Sequence, residues 1–253
     1  MQNRNKKAFT LAEVLVTLAI IGVIASLVIP SLIANIEKQG YISRLQRAMA
    51  AGDAALRKAA LENCGTTDLS CIYTGNALTI GDAIAAQYNV LKNCKNTSGQ
   101  GCFVVFNSYI DGTGGILDLD NDSNYYKFIT TDGMSVAIQR SSSKCTTNYG
   151  LNANSPTTKT CGQFYVDLNG PDKGPNYSGK DVFWFLVTSN KAPIMYPQGG
   201  REHNYTLNGT EETGGYYYWN YNNLNRCYNA GGKKGGWMCT GRIIEKGWQI
   251  DYY

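Results

Sequence analysis

The feature that most constrains this chain is an uncharged apolar run over residues 14–35, which contains Gly22 and Pro30. At the rise of an α-helix, roughly 20 apolar residues cross the hydrocarbon core of a bilayer, so the run is long enough to span a membrane. One acid, Glu13, lies at its edge. Because a carboxylate beside a lipid-facing helix is costly, its presence indicates a functional role and a cationic partner, for which a free amine is the natural candidate.

The residues before the apolar run are basic and end in a small residue, since Arg4, Lys6 and Lys7 precede Ala8. An ordinary secretory signal has its small-residue cleavage site after the apolar region. Here the order is reversed, so we expect cleavage before the helix. The alternative is a plain single-span anchor or an uncleaved signal.

The order of basic leader, small residue, Phe-Thr-Leu, acid and proline over residues 4–30 resembles the N terminus of the type IV pilin superfamily, which includes the pseudopilins of type II secretion systems. The resemblance implies that a prepilin peptidase cuts between Ala8 and Phe9 and methylates the new N terminus, giving N-methylphenylalanine at Phe9. It also implies that Glu13 pairs with an N-terminal amine during filament assembly. Such a pair offsets part of the cost that each charge carries alone in lipid. Ala8 stands where the family usually has Gly, so we expect slower processing.

The helical pattern continues past the apolar run to about residue 61. Ile42, Leu45, Met49 and Leu56 recur at helical spacings, which predicts one apolar stripe that packs on a sheet. Turn residues around Gly65 then end the helix. We therefore expect a leader over 1–8, a helix over 9–62 with its part 9–36 in the membrane or the filament core, and a head domain over 63–253.

Pro30 lies inside the apolar half of this helix. Proline lacks an amide donor and clashes with the preceding turn, so we expect a kink or a local loosening of the helix. In pilins such a position lets the helix stretch when it packs in a filament, which gives Pro30 a role in assembly. A simple bend is the alternative, and both interpretations stay open.

The rest of the chain is rich in glycine and tyrosine and has strand-like segments separated by turn signals such as Asp-Gly and Asn-Gly. A weaker helical pattern covers residues 78–88. Together with the resemblance, this order predicts an α+β, pilin-like fold in which the long N-terminal helix packs on an antiparallel sheet stabilised by disulfides. The predicted strands cover residues 102–106, 115–119, 125–130, 135–139, 164–168, 182–187, 194–196 and 248–252.

Eight cysteines follow the apolar span. An even number in an exported domain indicates disulfides, and a zinc site is poorly supported because there is no Cys-x-x-Cys and only one histidine. Sequence cannot fix the pairing, but the spacing suggests four local loops. These would join Cys64 with Cys71, Cys94 with Cys102, Cys145 with Cys161, and Cys227 with Cys239.

The charge balance gives no support to nucleic acid as a partner. Removing the leader with its three basic residues reduces the 23 Lys and Arg residues to 20, against 19 Asp and Glu residues. A nucleic-acid binder normally keeps a basic excess or a clustered basic face. The nearest feature here is the short pair Lys233-Lys234.

A glycine- and proline-bent loop over residues 167–181 carries several hard oxygen donors, which calcium favours. The resemblance adds that some pseudopilins hold calcium in a loop near the end of the head. No other cofactor is expected. A turn in which Asp and Asn side chains cap backbone amides is the alternative. The candidate ligands are Asp167, Asn169, Asp172, Asn176 and Asp181.

A second acidic segment, 118–122, begins like a calcium-binding loop with acids at alternate positions. Ser123 stands where that motif needs glycine, and Ile129 where it needs a bidentate glutamate. We therefore interpret these acids as exposed residues on one face of a strand.

Aromatic residues over 216–223, with Trp237 and Trp248 nearby in sequence, could form a binding surface for sugars, a secreted substrate or another subunit. Cross-strand stacking over a thin core is the alternative. An enzyme is not expected, because acid-base chemistry would depend on His203, which has no nucleophile motif around it.

The resemblance implies a filament subunit, a pilin or pseudopilin precursor, that waits as a single-pass protein of the bacterial inner membrane with its head in the periplasm. It would then move into a periplasmic or cell-surface filament. The implied partners are the prepilin peptidase, other pilin or pseudopilin subunits, the inner membrane and a secretion or pilus assembly machinery. The function expected is protein secretion by a type II secretion pseudopilus or a related filament. A minor pilin with an adhesive or DNA-uptake head, and an anchored binding protein that never polymerises, are the two alternatives.

Overall fold

The computed structural model describes residues 10–149, 156–189, 194–198, 201–202, 206–207, 210–211, 214–215, 227 and 235–253. Its α-helices are α1 (Leu11–Cys64), α2 (Ala77–Ala85) and α3 (Cys239–Glu245), and its 3₁₀ turns are Leu69–Thr74, Ser143–Cys145 and Pro156–Lys159. The strands are β1 (Val90–Lys95), β2 (Val105–Asn107), β3 (Ile116–Asp118), β4 (Tyr125–Thr130), β5 (Ser135–Arg140), β6 (Thr160–Asp167), β7 (Val182–Thr188), β8 (Met195–Pro197), β9 (Arg201–Glu202), β10 (Thr206–Leu207), β11 (Thr210–Glu211) and β12 (Gly214–Gly215).

Helix α1 is 54 residues long and continues through Pro30. It ends close to the position expected from the sequence. Gly65 follows with a φ of +68°, and its amide donates to the Leu61 carbonyl at 3.0 Å. A glycine in this left-handed conformation is a common way to satisfy the last carbonyls of a helix.

The chain divides into two compact units, Met1–Gly40 and Tyr41–Tyr253. The described part of the first unit is the N-terminal part of α1, whose apolar side chains are exposed: Leu11 is 79% and Leu27 is 74% accessible. We call the second unit, Tyr41–Tyr253, the globular unit. It contains the rest of α1 and all the strands of the described residues.

Within the globular unit, helix α1 buries the stripe that its sequence predicts. Ile42, Leu45 and Leu56 are buried, and Met49 packs half-buried against the same core. Asp53 ties the helix to the sheet, since its Oδ1 accepts hydrogen bonds from the amides of Ile194 and Met195 at 2.7 and 3.2 Å. The start of β8 is therefore held directly by the helix.

The main sheet has six antiparallel strands in the order β1-β4-β5-β6-β7-β8. Successive side chains of a strand point to opposite faces, and both faces are covered. Phe164 and Phe185 belong to the core shared with α1 and α2. Tyr165 and Val182 belong to a second cluster on the other face, which the short β2–β3 hairpin covers. The architecture is the α+β class predicted, a long N-terminal helix followed by an antiparallel sheet.

Most predicted strands lie within one to four residues of observed ones, but one is wrong, and β1, α3 and the two-residue strands β9–β12 were missed. Residues 248–252 form no strand, although Ile250 and Tyr252 are buried at alternate positions. An alternation of apolar and polar residues shows only that one side of a segment is buried. Here Ile250 and Tyr252 pack on the core, but the segment forms no hydrogen-bonded strand pair. Strand β1 lacks alternation because it is a mostly exposed edge strand, and α3 is too short to show a helical period.

The structure joins all eight cysteines in four disulfides, in the pairing that the spacing suggests: Cys64–Cys71, Cys94–Cys102, Cys145–Cys161 and Cys227–Cys239. Each joins two cysteines that are consecutive in the sequence. The disulfides therefore fix local loops and do not connect distant elements.

Candidate functional site

The first candidate site is the beginning of helix α1. Ala8 and Phe9 lie outside the described residues, which begin at Thr10. The Thr10 amide and its Oγ1 both donate to Glu13 Oε2, at 2.8 and 2.9 Å, and the Glu13 amide donates back to Thr10 Oγ1 at 3.2 Å. This reciprocal arrangement is a capping box, which satisfies amides that a helix start leaves without partners.

The capping box holds the Glu13 carboxylate at the N-terminal edge of the apolar surface. Both hydrogen bonds that Thr10 donates use Oε2. Among the described residues no donor contacts Oε1, so the carboxylate keeps a second oxygen that can accept a hydrogen bond from a cation. The Thr-x-x-Glu pattern is a sequence signal of such a cap, so this contact could have been predicted from the sequence.

The apolar part of α1 that follows is long and apolar enough to cross a membrane by length and composition. Its apolar side chains are exposed on all sides, as the values for Leu15, Ile21, Ile24 and Ile33, all above 50%, illustrate. A soluble protein rarely leaves so large an apolar surface uncovered. The segment therefore fits a membrane anchor.

The second candidate site is the loop between β6 and β7, where the structure brings four of the five predicted calcium ligands together. Asp181 accepts hydrogen bonds from the amides of Asn176 at 2.8 Å and Tyr177 at 2.9 Å. The Asn169 side-chain amide donates to Asp181 Oδ2 at 3.4 Å, and the Asn169 main-chain amide donates to Asp167 Oδ1 at 3.2 Å. Both carboxylates are fully buried.

Three oxygens in this loop are buried and have no hydrogen-bond donor: Asp167 Oδ2, Asn169 Oδ1 and Asn176 Oδ1. Burial, together with the nearby charge of Asp181, raises the pKa of Asp167 to about 7. Burial also raises the pKa of Asp181, against the effect of the amides that it accepts. Among the described residues no lysine or arginine forms an ion pair with either carboxylate.

Buried oxygens without donors are rare, because each loses its hydration without compensation. Carboxylate and amide oxygens are the ligands that calcium prefers, and a cation bound here would reduce the repulsion between the two carboxylates. The donors present therefore fit calcium. Over the part of the chain that the structure describes, however, no group of three or more His, Cys, Asp or Glu side chains surrounds a common point, so the site depends on amide oxygens.

The fifth predicted ligand, Asp172, is exposed. No hydrogen bond or ion pair with a described residue joins it to the other four. The loop is instead closed from the C terminus of the chain: the Tyr252 hydroxyl donates to the Gly179 carbonyl at 2.6 Å, and Lys180 Nζ lies 5.1 Å from the centre of the Tyr253 ring. Sequence reasoning missed this support, since it links residues far apart in the chain.

The acidic segment 118–122 is not simply a row of exposed acids, so that interpretation is wrong for Asp120. Its carboxylate is buried and accepts bonds from the amides of Gly101 at 2.7 Å and Cys102 at 2.9 Å. The fully buried Lys127 donates through Nζ to the carbonyls of Asp120 and Asp122, at 2.8 and 3.1 Å. An ammonium thus supplies the positive charge of this loop.

The aromatic residues 216–223 and His203 lie outside the described residues. Trp237 packs edge-on against Trp184 with ring centres 5.0 Å apart, and Tyr165 and Trp184 stack at 5.4 Å. Trp248 packs partly buried against the main core. The two tryptophans of this prediction that the structure describes therefore serve internal packing.

Among known families, the prokaryotic N-terminal methylation motif matches residues 3–29 of the chain. The chain therefore carries the prepilin-type signature of type IV pilins and pseudopilins, which supports a type IV pilin-like precursor. Members that carry this motif are structural subunits and not enzymes. The motif covers the leader and the first part of α1. Neither the curated proteins nor the solved structures include a match to this chain.

Proposed function

We propose that this protein is the precursor of a filament subunit, and that the filament is a type II secretion pseudopilus or a related type IV pilus-like structure that supports protein secretion. The observation that carries the proposal is the methylation motif over residues 3–29, continuous with a helix whose apolar surface is exposed on all sides. A structural subunit uses such a surface twice, first in the membrane and then against other copies.

Processing comes first in this scheme. A prepilin peptidase cuts between Ala8 and Phe9 and methylates the amine of Phe9. The mature chain stays in the inner membrane as a single-pass protein, with the globular unit in the periplasm. It then enters the filament, where the apolar segments of neighbouring copies pack together in the core and heterologous contacts give an open polymer.

Glu13 acts in the entry step. In the single subunit the capping box occupies Oε2 with two donors of Thr10. The Oε1 atom of Glu13 accepts a hydrogen bond from the amine of a neighbouring Phe9. The carboxylate and the ammonium then compensate each other's charge while both are away from water. Pro30 gives the helix one weakened position in its apolar half, which lets it adjust when subunits pack.

The substitution Glu13→Ala tests this function. We expect the variant to be cut after Ala8 and to remain in the membrane but to yield no filament, because the amine of a neighbour finds no carboxylate. The readouts are intact mass with N-terminal sequencing, membrane fractionation and filament recovery from sheared cells. Glu37→Ala is the matched control, since Glu37 is an exposed acid farther along α1.

Two outcomes contradict the proposal. A wild-type chain that keeps residues 1–8 in native membranes would exclude prepilin processing. A Glu13→Ala chain that supports the same phenotype as wild type would favour an anchored binding protein that does not polymerise. Deletion phenotypes for secretion, adhesion and transformation then separate a secretion subunit from a minor pilin with an adhesive or DNA-uptake head.

We also propose that the β6–β7 loop binds one calcium ion through Asp167, Asn169, Asn176 and Asp181. Three buried oxygens without donors support the proposal. Bound calcium would fix the loop that Tyr252 and Tyr253 contact from the C terminus. Its role is structural, and it supplies no chemistry to a reaction.

Calcium titration followed by thermal unfolding tests this site. We expect calcium to raise the melting temperature of the detergent-solubilised chain, and the shift should keep growing with the logarithm of the calcium concentration above the dissociation constant, because the ion binds the folded state only. Asp167→Asn removes this shift, whereas Asp172→Asn at the exposed acid of the same loop keeps it. Equal melting temperatures with calcium and with chelator would contradict the site.

A further inference from the structure

A groove runs beside helix α1 at the point where the helix passes the end of α2 and the β4–β5 turn, and its volume is about 430 Å³. Its floor is apolar and includes Ala51, Ala55 and Met134. Arg47 and Lys58 line it from α1 at either end, and both are exposed. A concave site of this size, apolar inside and charged at the rim, suits one large apolar side chain with an acidic neighbour.

The helix around the groove is basic. Residues 42–58 carry four basic side chains, Arg44, Arg47, Arg57 and Lys58, and one acid, Asp53. Asp53 is already bonded to Arg57 Nε at 2.7 Å. Arg47 and Lys58 have only exposed partners, Asp132 at 3.6 Å and Glu62 at 3.8 Å, and such surface pairs are weak in water. Asp132 also lines the groove, so Arg47, Lys58 and Asp132 together leave its rim with one net positive charge, which suits an acidic partner.

The β2–β3 hairpin has the complementary character. Residues 96–126 contain four aspartates and no lysine or arginine. On the outer face of the hairpin, Ile116 is 75% exposed, the highest value for a large apolar side chain among the described residues of the globular unit. Val105 is 48% exposed on the same face and lies directly opposite the exposed Asp118.

The groove and the hairpin lie on opposite faces of the main sheet. Helix α1 packs on the face that carries Phe164 and Phe185. The inner face of the hairpin, with Phe106 and Leu117, packs in the cluster of Tyr165, a neighbour of Phe164 that points the other way. Two complementary surfaces on opposite faces of one unit make a head-to-tail contact between copies. Such a contact builds an open stack whenever the rotation from one copy to the next does not close a ring.

We propose that the globular units of successive copies of this chain contact one another through these two surfaces, with Ile116 of one copy seated in the α1 groove of the next. Asp118 then faces the basic rim formed by Arg47 and Lys58. The contact rests on the proposed function as a filament subunit, and it specifies which surfaces of that subunit meet.

Site-specific photo-crosslinking in the full-length chain, produced in cells that assemble the filament, tests the contact. A photoreactive phenylalanine at position 116 should join covalently to a second copy of the chain, and mass spectrometry of the digest should place the bond within residues 47–58. Ser123, exposed beyond the hairpin, is the control position and should give no such product. Arg47→Glu should reduce the cross-link about tenfold, as expected for a charged interface residue, and Asp118→Arg should restore it in the same chain.

The outcomes separate the contact from the function on which it rests. Wild-type filaments whose cross-links from position 116 fall outside residues 47–58, or lead to another protein, overturn the contact and leave the filament function intact. An undiminished cross-link in Arg47→Glu also overturns it. If the wild-type chain forms no filament and no cross-link, both proposals fail. Because Ile116 is exposed, the melting temperature of each variant should match wild type, and this measurement excludes misfolding as the cause of a loss.

Discussion

At the scale of single residues, the chain uses three different ways to accommodate a carboxylate. Glu13 is held by the hydroxyl and amide of Thr10. Asp120 is buried but accepts main-chain amides, with the ammonium of Lys127 bonded to its carbonyl. Asp167 has one oxygen without a donor and a second carboxylate beside it. The buried pair of Asp167 and Asp181 carries the negative charge that a metal ion could compensate, whereas the remaining oxygen of Glu13 is available to an amine.

The Asp167 carboxyl predicts an unusual dependence of stability on pH. Its pKa is about 7 in the folded chain, above the ordinary value of 3.8, so the folded state binds the proton more tightly than the unfolded state. In calcium-free buffer we therefore expect the contribution of Asp167 to the free energy of unfolding to be greatest below pH 4. This contribution should fall as the pH rises towards 7, with a slope of up to about 1.4 kcal/mol per pH unit. Chemical unfolding at several pH values measures it.

Two comparisons make this pH experiment specific. Asp167→Asn should flatten the slope, because the amide does not titrate. Saturating calcium should reverse the slope, since protons then compete with the ion for the same oxygens. A calcium-free wild-type chain that becomes steadily more stable from pH 4 to pH 7 would show that the carboxyl does not titrate as its burial requires.

At the scale of elements, helix α2 depends on a close approach to the sheet. A Cβ built on Gly81 would lie 1.9 Å from Cγ of Tyr126, whose ring is buried and whose hydroxyl donates to Asp82 at 2.7 Å. The ring cannot move without losing that bond. Glycine is therefore required at this contact for space, although it weakens the helix itself.

We expect Gly81→Ala to destabilise the globular unit by about 1–3 kcal/mol, because overpacking exceeds the gain in helix propensity of about 1 kcal/mol. Gly40→Ala, in helix α1, is the matched control: a Cβ there meets nothing within 4 Å, so this change should be neutral or stabilising. Urea unfolding of the two variants and the wild type measures both effects. Equal gains in stability for the two would show that the space beside Tyr126 does not limit α2.

The elements that sequence reasoning located are those whose pattern reflects burial that is regular and local. The stripe of Ile42, Leu45 and Leu56 predicted the packed half of α1, and the runs that became β4 and β7 are apolar and bounded by turns. Strand β1 was missed because an edge strand needs no apolar face. The alternation at residues 248–252 misled because burial by loop packing has the same period as burial in a strand.

The candidate sites show the same division. Glu13 and the oxygen donors of residues 167–181 could be found from sequence, since a charge beside an apolar run and a bent polar loop are local features. Which of the donors converge could not be found. Asp172 is exposed, whereas Asp167 and Asp181 meet because β6 and β7 are adjacent and antiparallel. The groove beside α1 likewise exists only after distant segments have packed.

At the scale of the whole molecule, the chain combines an exposed apolar helix with a globular unit whose two sheet faces differ in charge. The helix face has a basic rim, and the hairpin face is acidic and apolar. An assembly that uses both surfaces would orient every subunit in the same direction along the polymer, because each contact joins the helix face of one copy to the hairpin face of the next. The direction of the polymer would then be fixed by the globular units as well as by the helices.

The pairing of the cysteines has a consequence for how the exported chain matures. The partners are separated by 7, 8, 16 and 12 residues, and no disulfide encloses another cysteine. During passage through a membrane from N to C terminus, the first, third, fifth and seventh cysteines of the chain each have as their correct partner the next cysteine to emerge. A catalyst that oxidises thiols in order of appearance would therefore produce the native bonds without any need to reshuffle wrong ones. We expect cells that lack a disulfide isomerase but keep the oxidase to accumulate the protein at normal levels, which pulse labelling and non-reducing gels would reveal, whereas accumulation of mispaired forms in those cells would contradict it.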